Sequence, residues 1–169
     1  MSSSSPRDTV ASDVVWLTDD QQRAWRQLVP LLVMLPAALE RDLQRATGLT
    51  IFEYMVLTNL SEADQLTLPM SELARRANSS LSRLSHVVSR LVDNGWVHKR
   101  SCPTDRRVSE VTLTKPGHAV LVKAAPHHVA SVRERVIEPL SPAQLADLGR
   151  AAELIAERLD QPGPDTNPA

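Results

Sequence analysis

Six polar residues fall on one face of a short segment: Ser82, Arg83, Ser85, His86, Ser89 and Arg90. Between them Leu81, Leu84, Val87, Val88, Leu91 and Val92 recur at spacings of three and four, which predicts an amphipathic helix with one buried stripe. Small hydroxyls, an imidazole and guanidiniums can approach base edges and phosphates in a major groove without a bulky collision. The same pattern fits a helix whose polar face is only solvated, and the helix alone does not choose between the two. A second cluster, Asp105, Arg106 and Arg107, stands within "CPTDRRVSEVTLTKPG", after a proline turn and ahead of the alternating run Val108 to Leu113. An arginine on a hairpin tip beside such a helix can enter a minor groove, where negative potential is focused. Asp105 can pair with an arginine there and hold the tip in shape.

The charge distribution tips the balance. The whole chain of 169 residues has a formal charge of -1. Residues 71 to 107 hold eight basic side chains (Arg75, Arg76, Arg83, Arg90, Lys99, Arg100, Arg106, Arg107) against Glu72, Asp93 and Asp105. That segment is therefore +5 and the remainder -6, a basic module on an acidic support, which is the electrostatic footprint of a DNA binder.

The elements that must position these residues can be read from caps and breakers. Thr18 and Gln21 form a capping-box pattern, and a first helix is expected from Asp19 to Ala46, stopping at Gly48. Its middle, "LVPLLVMLPAAL", is apolar all round, which implies burial on every side by a second copy of the chain. Pro30 and Pro36 are expected to kink this helix or split it in two. Thr50 with Glu53 opens a second helix to about Leu60, and Ser71 caps a short third one after the breaker Pro69. The polar-faced helix spans Ser80 to Asn94 and ends at Gly95. Trp96 to Lys99 and Val108 to Leu113 read as a two-stranded hairpin. Thr114 caps a fifth helix that starts "KPG" and runs toward Ile137 with a bend at Pro126, and Ser141 before Pro142 starts a sixth. Residues 1–17 and 161–169, rich in Ser, Pro, Asp and Asn, are expected to be loose tails around one domain, 18–160.

In "SELARRANSSLSRLSHVVSRLVDNGW" and the following "DRRVSEVTLTKPG", the chain resembles the MarR-type winged-helix regulators over roughly Thr18 to Asp160. The pattern Asp-x-Arg followed by Leu-Thr-x-x-Gly is met by Asp105, Arg107, Leu113, Thr114 and Gly117. The resemblance implies a mainly α fold with a small β-hairpin wing: a winged helix-turn-helix over 50–113, and helical dimerisation regions at 18–48 and 115–160. It implies that Arg107 is the minor-groove arginine, with Asp105 its organiser and Arg106 near phosphate. Ser85 and His86 match base-facing positions; Ser79, Ser80, Ser82, Arg83 and Arg90 match positions nearer phosphate, and Lys99 of the hairpin joins the DNA-binding set. Homodimers are typical of the family, so the expected partner is a pseudo-palindromic operator in double-stranded DNA read by two helices about 34–36 Å apart. The function expected is that of a repressor relieved by a small-molecule effector.

Many relatives bind small aromatic or phenolic effectors where the dimer helices meet the winged module, which makes Trp16, Trp25, Phe52 and Tyr54 the candidate ligand-binding residues. In a chain only 3% aromatic these four stand out, although core packing is the commoner role of any one of them. Cys102 is expected to be an inert thiol, because the peroxide-sensing branch of the family carries its reactive cysteine in the first helix, where this chain has none. His127 and His128 are adjacent and diverge on a helix, while His86, His98 and His118 lack a partner at ligand spacing, so neither a metal nor a cofactor is expected. No enzyme motif occurs and the five glycines are too scattered to cradle a phosphate, so the chain is not expected to be an enzyme. The start lacks the apolar core of a secretory signal, and the run Leu28 to Leu39 is too short to span a bilayer, which points to a cytoplasmic protein without a membrane partner. The rival class is a winged-helix module used for protein contact without DNA, which would have little reason to keep the wing arginines.

Overall fold

The computed structural model describes residues 14–101 and 109–160. It falls into two units divided between Ala37 and Ala38. In the first, residues 14–18 form neither helix nor strand, and α1 (Asp19–Thr47) begins. The expected capping box is present: Thr18 N donates to Gln21 Oε1 at 2.9 Å, and Gln21 N donates to Thr18 Oγ1 at 3.3 Å. The expected split at the prolines does not occur, since α1 runs unbroken through Pro30 and Pro36. Each proline removes a single backbone donor, and the hydrogen bonds on either side carry the helix across. Val29, Leu31, Leu32, Val33 and Met34 are exposed on the single chain.

The second unit holds the rest. After α1 ends, Gly48 takes a left-handed φ of 78°. The helices are α2 (Ile51–Ser61), α3 (Met70–Arg76), α4 (Leu81–Asp93), α5 (Lys115–Val132), which continues through a π-helical turn at Arg133–Ile137, and α6 (Pro142–Asp160). Strands β1 (Thr67–Pro69), β2 (Val97–Ser101) and β3 (Ser109–Leu113) form an antiparallel sheet in the order β1-β3-β2. The fold is thus mainly α with a small β wing, as expected, but the sheet has a third strand that the hairpin reading lacked. β1 pairs Leu68 with Val111 and is tied by Thr67 Oγ1 to Thr112 Oγ1 at 2.8 Å. Three residues ending in a proline give no alternation to read, so only pairing with β3 makes them a strand.

Two local readings are corrected. Ser71 does not cap α3: the helix starts at Met70, and Pro69, whose φ of -60° leads β1 straight into it, occupies the cap position without a side-chain bond. The buried stripe of α4 is Leu84, Val87, Val88 and Leu91; Leu81 and Val92, at the two ends of the helix, are exposed. The core gathers these four with Leu43, Leu49, Val56, Leu57, Leu60, Leu73, Val97 and Val111, all buried. Each fully buried leucine contributes about 1.5–3 kcal/mol. The core thus clamps one face of α4 and leaves the opposite face to solvent.

Beside the core, α1 is tied to the end of α5. Asp42 Oδ2 accepts from Ser131 Oγ at 2.7 Å and from Arg135 Nη2 at 2.7 Å, and these bonds hold its carboxyl below the usual carboxylate range.

Candidate nucleic-acid interface

α3, a four-residue turn and α4 form the helix-turn-helix. Asn78 makes the turn with a left-handed φ of 45°, and Ser79 N donates to Ala74 O at 2.9 Å. Ser80 is the N-cap of α4, its Oγ accepting from Arg83 N at 3.2 Å. The cap orients the first turn, so Ser82, Arg83 and His86 emerge exposed, with Ser85 half-buried beside them. Ser89 Oγ donates back to Ser85 O at 3.0 Å, which keeps that hydroxyl on its own helix.

The two arginines of this face are held from below by adjacent residues of α2. The guanidinium of Arg83 lies 4.5 Å from the centre of the Phe52 ring, a cation-π contact. Arg90 Nη2 meets Glu53 Oε1 at 2.9 Å. Glu53 is itself nearly buried, and its other oxygen, Oε2, accepts from Thr50 N and Thr50 Oγ1, both at 2.9 Å. At the end of α3, one carboxylate serves two guanidiniums: Glu72 takes Arg75 at 2.7 Å and Arg76 at 2.7 Å, and these contacts hold its carboxyl down at about 2.

The wing rises from a tightly bonded base. Gly95 ends α4 with a φ of 70°. Thr114, N-cap of α5, donates from its backbone N to Trp96 O at 3.0 Å, while its hydroxyl reaches Gly95 O at 2.8 Å and accepts from Gly117 N at 3.0 Å. From there β2 and β3 pair as far as Ser101 with Ser109. Lys99 and Arg100 are exposed on β2, opposite Val111 and Glu110. Asp105, Arg106, Arg107 and Cys102 lie outside the described residues.

The four aromatic residues read as a ligand cleft divide between the two units. Trp16 and Trp25, in the first, are 78% and 52% exposed. Phe52 and Tyr54, in the second, are half-buried and pack against the core. Phe52 carries Arg83, and Tyr54 packs on the His128 ring at 4.7 Å between centroids. Burial holds His128 below its ordinary value, and its Nδ1 has no hydrogen-bond partner among the described residues. Among the described residues no group of His, Cys, Asp and Glu side chains gathers to hold a metal ion, and no helix is long and apolar enough to cross a membrane.

Sequence reasoning found the polar face of α4 but missed what supports it. Glu53 was legible as a cap through its spacing from Thr50. Its pairing with Arg90, distant in the chain, leaves no local signal.

Comparison with known proteins gives a consistent assignment. A family model described as MarR family matches residues 49–109. The HTH-type transcriptional repressor YetL of Bacillus subtilis (strain 168) is 28% identical over 85 residues, which are 50% of this chain and 51% of that protein. The chain therefore spans about half the length of that curated relative. Two solved structures from Streptomyces coelicolor match over nearly their whole length. Sco3205, a MarR family transcriptional regulator in complex with DNA, is 39% identical, with 91% of this chain and 96% of that chain covered at a TM-score of 0.85. AbsC, also a MarR family transcriptional regulator, is 42% identical, with 86% and 98% covered at a TM-score of 0.81.

Proposed function

The chain belongs to the MarR family of transcriptional regulators, and from that premise we propose that it is a sequence-specific DNA-binding regulator that acts in the cytoplasm as a homodimeric repressor. The observation that carries the proposal is the exposed face of α4, where Ser82, Arg83, Ser85, His86 and Arg90 stand on a helix whose other side is locked in the core. A rigid helix presenting hydroxyls, an imidazole and guanidiniums suits a major groove. Ser85 and His86 then face base edges. Ser79, Ser80, Ser82, Arg83 and Arg90 lie toward phosphates, with Lys99 and Arg106 on the wing, while Arg107, organised by Asp105, enters the minor groove.

A second copy is supported by the apolar surface on the single chain. Val29, Leu31, Leu32, Val33 and Met34 on α1, and Leu154, Ile155 and Leu159 on α6, are exposed large hydrophobic residues, more than a monomer leaves in contact with water. Twofold symmetry then matches a pseudo-palindromic operator, and occupancy near a promoter excludes polymerase. Relief by a small aromatic or phenolic effector completes the reading, with Phe52 and Tyr54 of the second unit among its ligand residues. Phe52 carries Arg83, so a ligand that moved this ring would also disturb an arginine of the interface.

The test is selection of preferred sites from a random duplex pool by wild type and by the double variant Ser85→Ala, His86→Ala. Loss of the base contacts is expected to cost about 1–3 kcal/mol of discrimination per lost contact. The variant should therefore select a degenerate sequence at one or two positions of each half-site while still binding DNA. Unchanged preference in the variant would show that these two residues do not read bases.

A further inference from the structure

Glu53 is the one charged side chain among the described residues that the core nearly buries, and its place at the foot of α4 is not explained by capping alone. Its two oxygens have separate duties. Oε2 is fixed by Thr50 N and Thr50 Oγ1, so the carboxylate cannot swing away. Oε1 then faces Arg90 Nη2 at 2.9 Å, and the Arg90 side chain is 58% exposed. A charge pair with one partner out of water is screened by salt far less than a pair on the open surface. The guanidinium of Arg83 instead lies 4.5 Å from the centre of an uncharged ring. The two arginines of the proposed DNA face therefore differ: one lies over an uncharged ring, and the other faces a nearly buried carboxylate whose second oxygen is held by Thr50.

On the DNA-binding reading, we infer that Glu53 sets the selectivity of the interface by masking the charge of Arg90, so that Arg90 adds little to binding of arbitrary duplex DNA and contributes only where a correctly docked backbone meets its free donors. Non-selective binding is driven by neutralised phosphates and the counterions they release, so each arginine withheld from it lowers the competing background. Neutralising a cation with a rigid internal carboxylate withholds it without removing its hydrogen-bond donors.

The substitution that isolates this effect is Glu53→Gln, because a glutamine at that position of a capping box still accepts from the Thr50 backbone while losing the charge that holds Arg90. Fluorescence anisotropy of a labelled random-sequence duplex, titrated over a salt series, reads the result. Wild type should bind with a salt-dependent affinity. Glu53→Gln should steepen the log–log slope by about 1.8, the signature of one more phosphate neutralised by each protomer of the dimer, and widen the fall in affinity for the random duplex roughly tenfold across a fourfold salt range. The double variant Glu53→Gln, Arg90→Gln should return to the wild-type slope. Arg90→Gln alone, which leaves the cap on α2 intact, should weaken binding to a selected operator more than binding to the random duplex, and this arm stands even if Glu53→Gln folds poorly. A slope that is unaltered or shallower in Glu53→Gln, or an Arg90→Gln that weakens the random duplex as much as the operator, would overturn the inference while leaving DNA binding in place. Salt-independent binding by wild type would overturn the DNA reading and this inference with it.

Discussion

Gly117→Ala is expected to destabilise the protein, although alanine is the better helix former and Gly117 lies in the first turn of α5. An added Cβ would stand 2.1 Å from the Trp96 carbonyl oxygen and 2.9 Å from Leu113 Cδ1. The leucine could rotate, but the carbonyl is backbone. It accepts from Thr114 N and Thr114 Oγ1, both at 3.0 Å, so relieving the clash means giving up bonds that fix the base of the wing. Helix propensity favours alanine by about 0.5–1 kcal/mol, whereas overpacking a fixed backbone costs about 1–3 kcal/mol and occasionally more. The clash wins. In a chain of this size the melting temperature should fall by roughly 2–4 °C for each kcal/mol lost. A thermal melt in which Gly117→Ala unfolds at or above the wild-type temperature would show that the junction of β2 and α5 yields more easily than its bonding implies. The same contact gives the Leu-Thr-x-x-Gly pattern its physical reason: threonine caps the helix and grips the wing, and glycine admits the carbonyl between them.

Removing the wing arginine should have a comparably large effect on binding. Arg107 stands two residues ahead of Ser109, where the paired part of the wing begins. The proposal places it in the minor groove, where an arginine is attracted by focused negative potential and reads groove width as well as charge. Arg107→Ala should weaken binding to the preferred operator by about 1–3 kcal/mol, or 5- to 150-fold, with a smaller loss on random duplex. Lys99→Ala is the useful contrast. Loss of a phosphate contact from β2 in each protomer should weaken both duplexes alike and make the salt slope shallower by about 1.8. Equal affinity of Arg107→Ala and wild type for the operator would remove the wing from the recognition account.

Much of this arrangement is legible in local sequence because local chemistry determines it. Thr18 with Gln21, Thr50 with Glu53 and Thr114 before Gly117 are caps whose donors and acceptors lie three residues apart, and all three form. Gly95 ends α4 because its left-handed φ suits a residue without a side chain. Features that depend on distant partners escape such reading. β1 exists through pairing with β3, and the exposure of Leu81 and Val92 follows from where the core ends, which the periodicity of α4 does not contain. Asp42 reaching Ser131 and Arg135, Arg83 over Phe52, and Arg90 against Glu53 are likewise contacts between segments far apart in the chain. The polar face of α4 could therefore be read from helical phase, but the support that fixes its arginines could not.

The central claim is that the basic module neutralises DNA phosphates, and the salt dependence of wild-type binding tests it most directly. A labelled duplex from upstream of the protein's own gene would be titrated by anisotropy between 50 and 200 mM salt. With Arg83, Lys99 and Arg106 of both protomers contributing, about six phosphates are neutralised and the affinity should fall on the order of a thousandfold across that range. Binding that is weak and indifferent to salt on this duplex, and on sites selected from a random pool, would contradict the account and favour a winged-helix module that contacts protein instead.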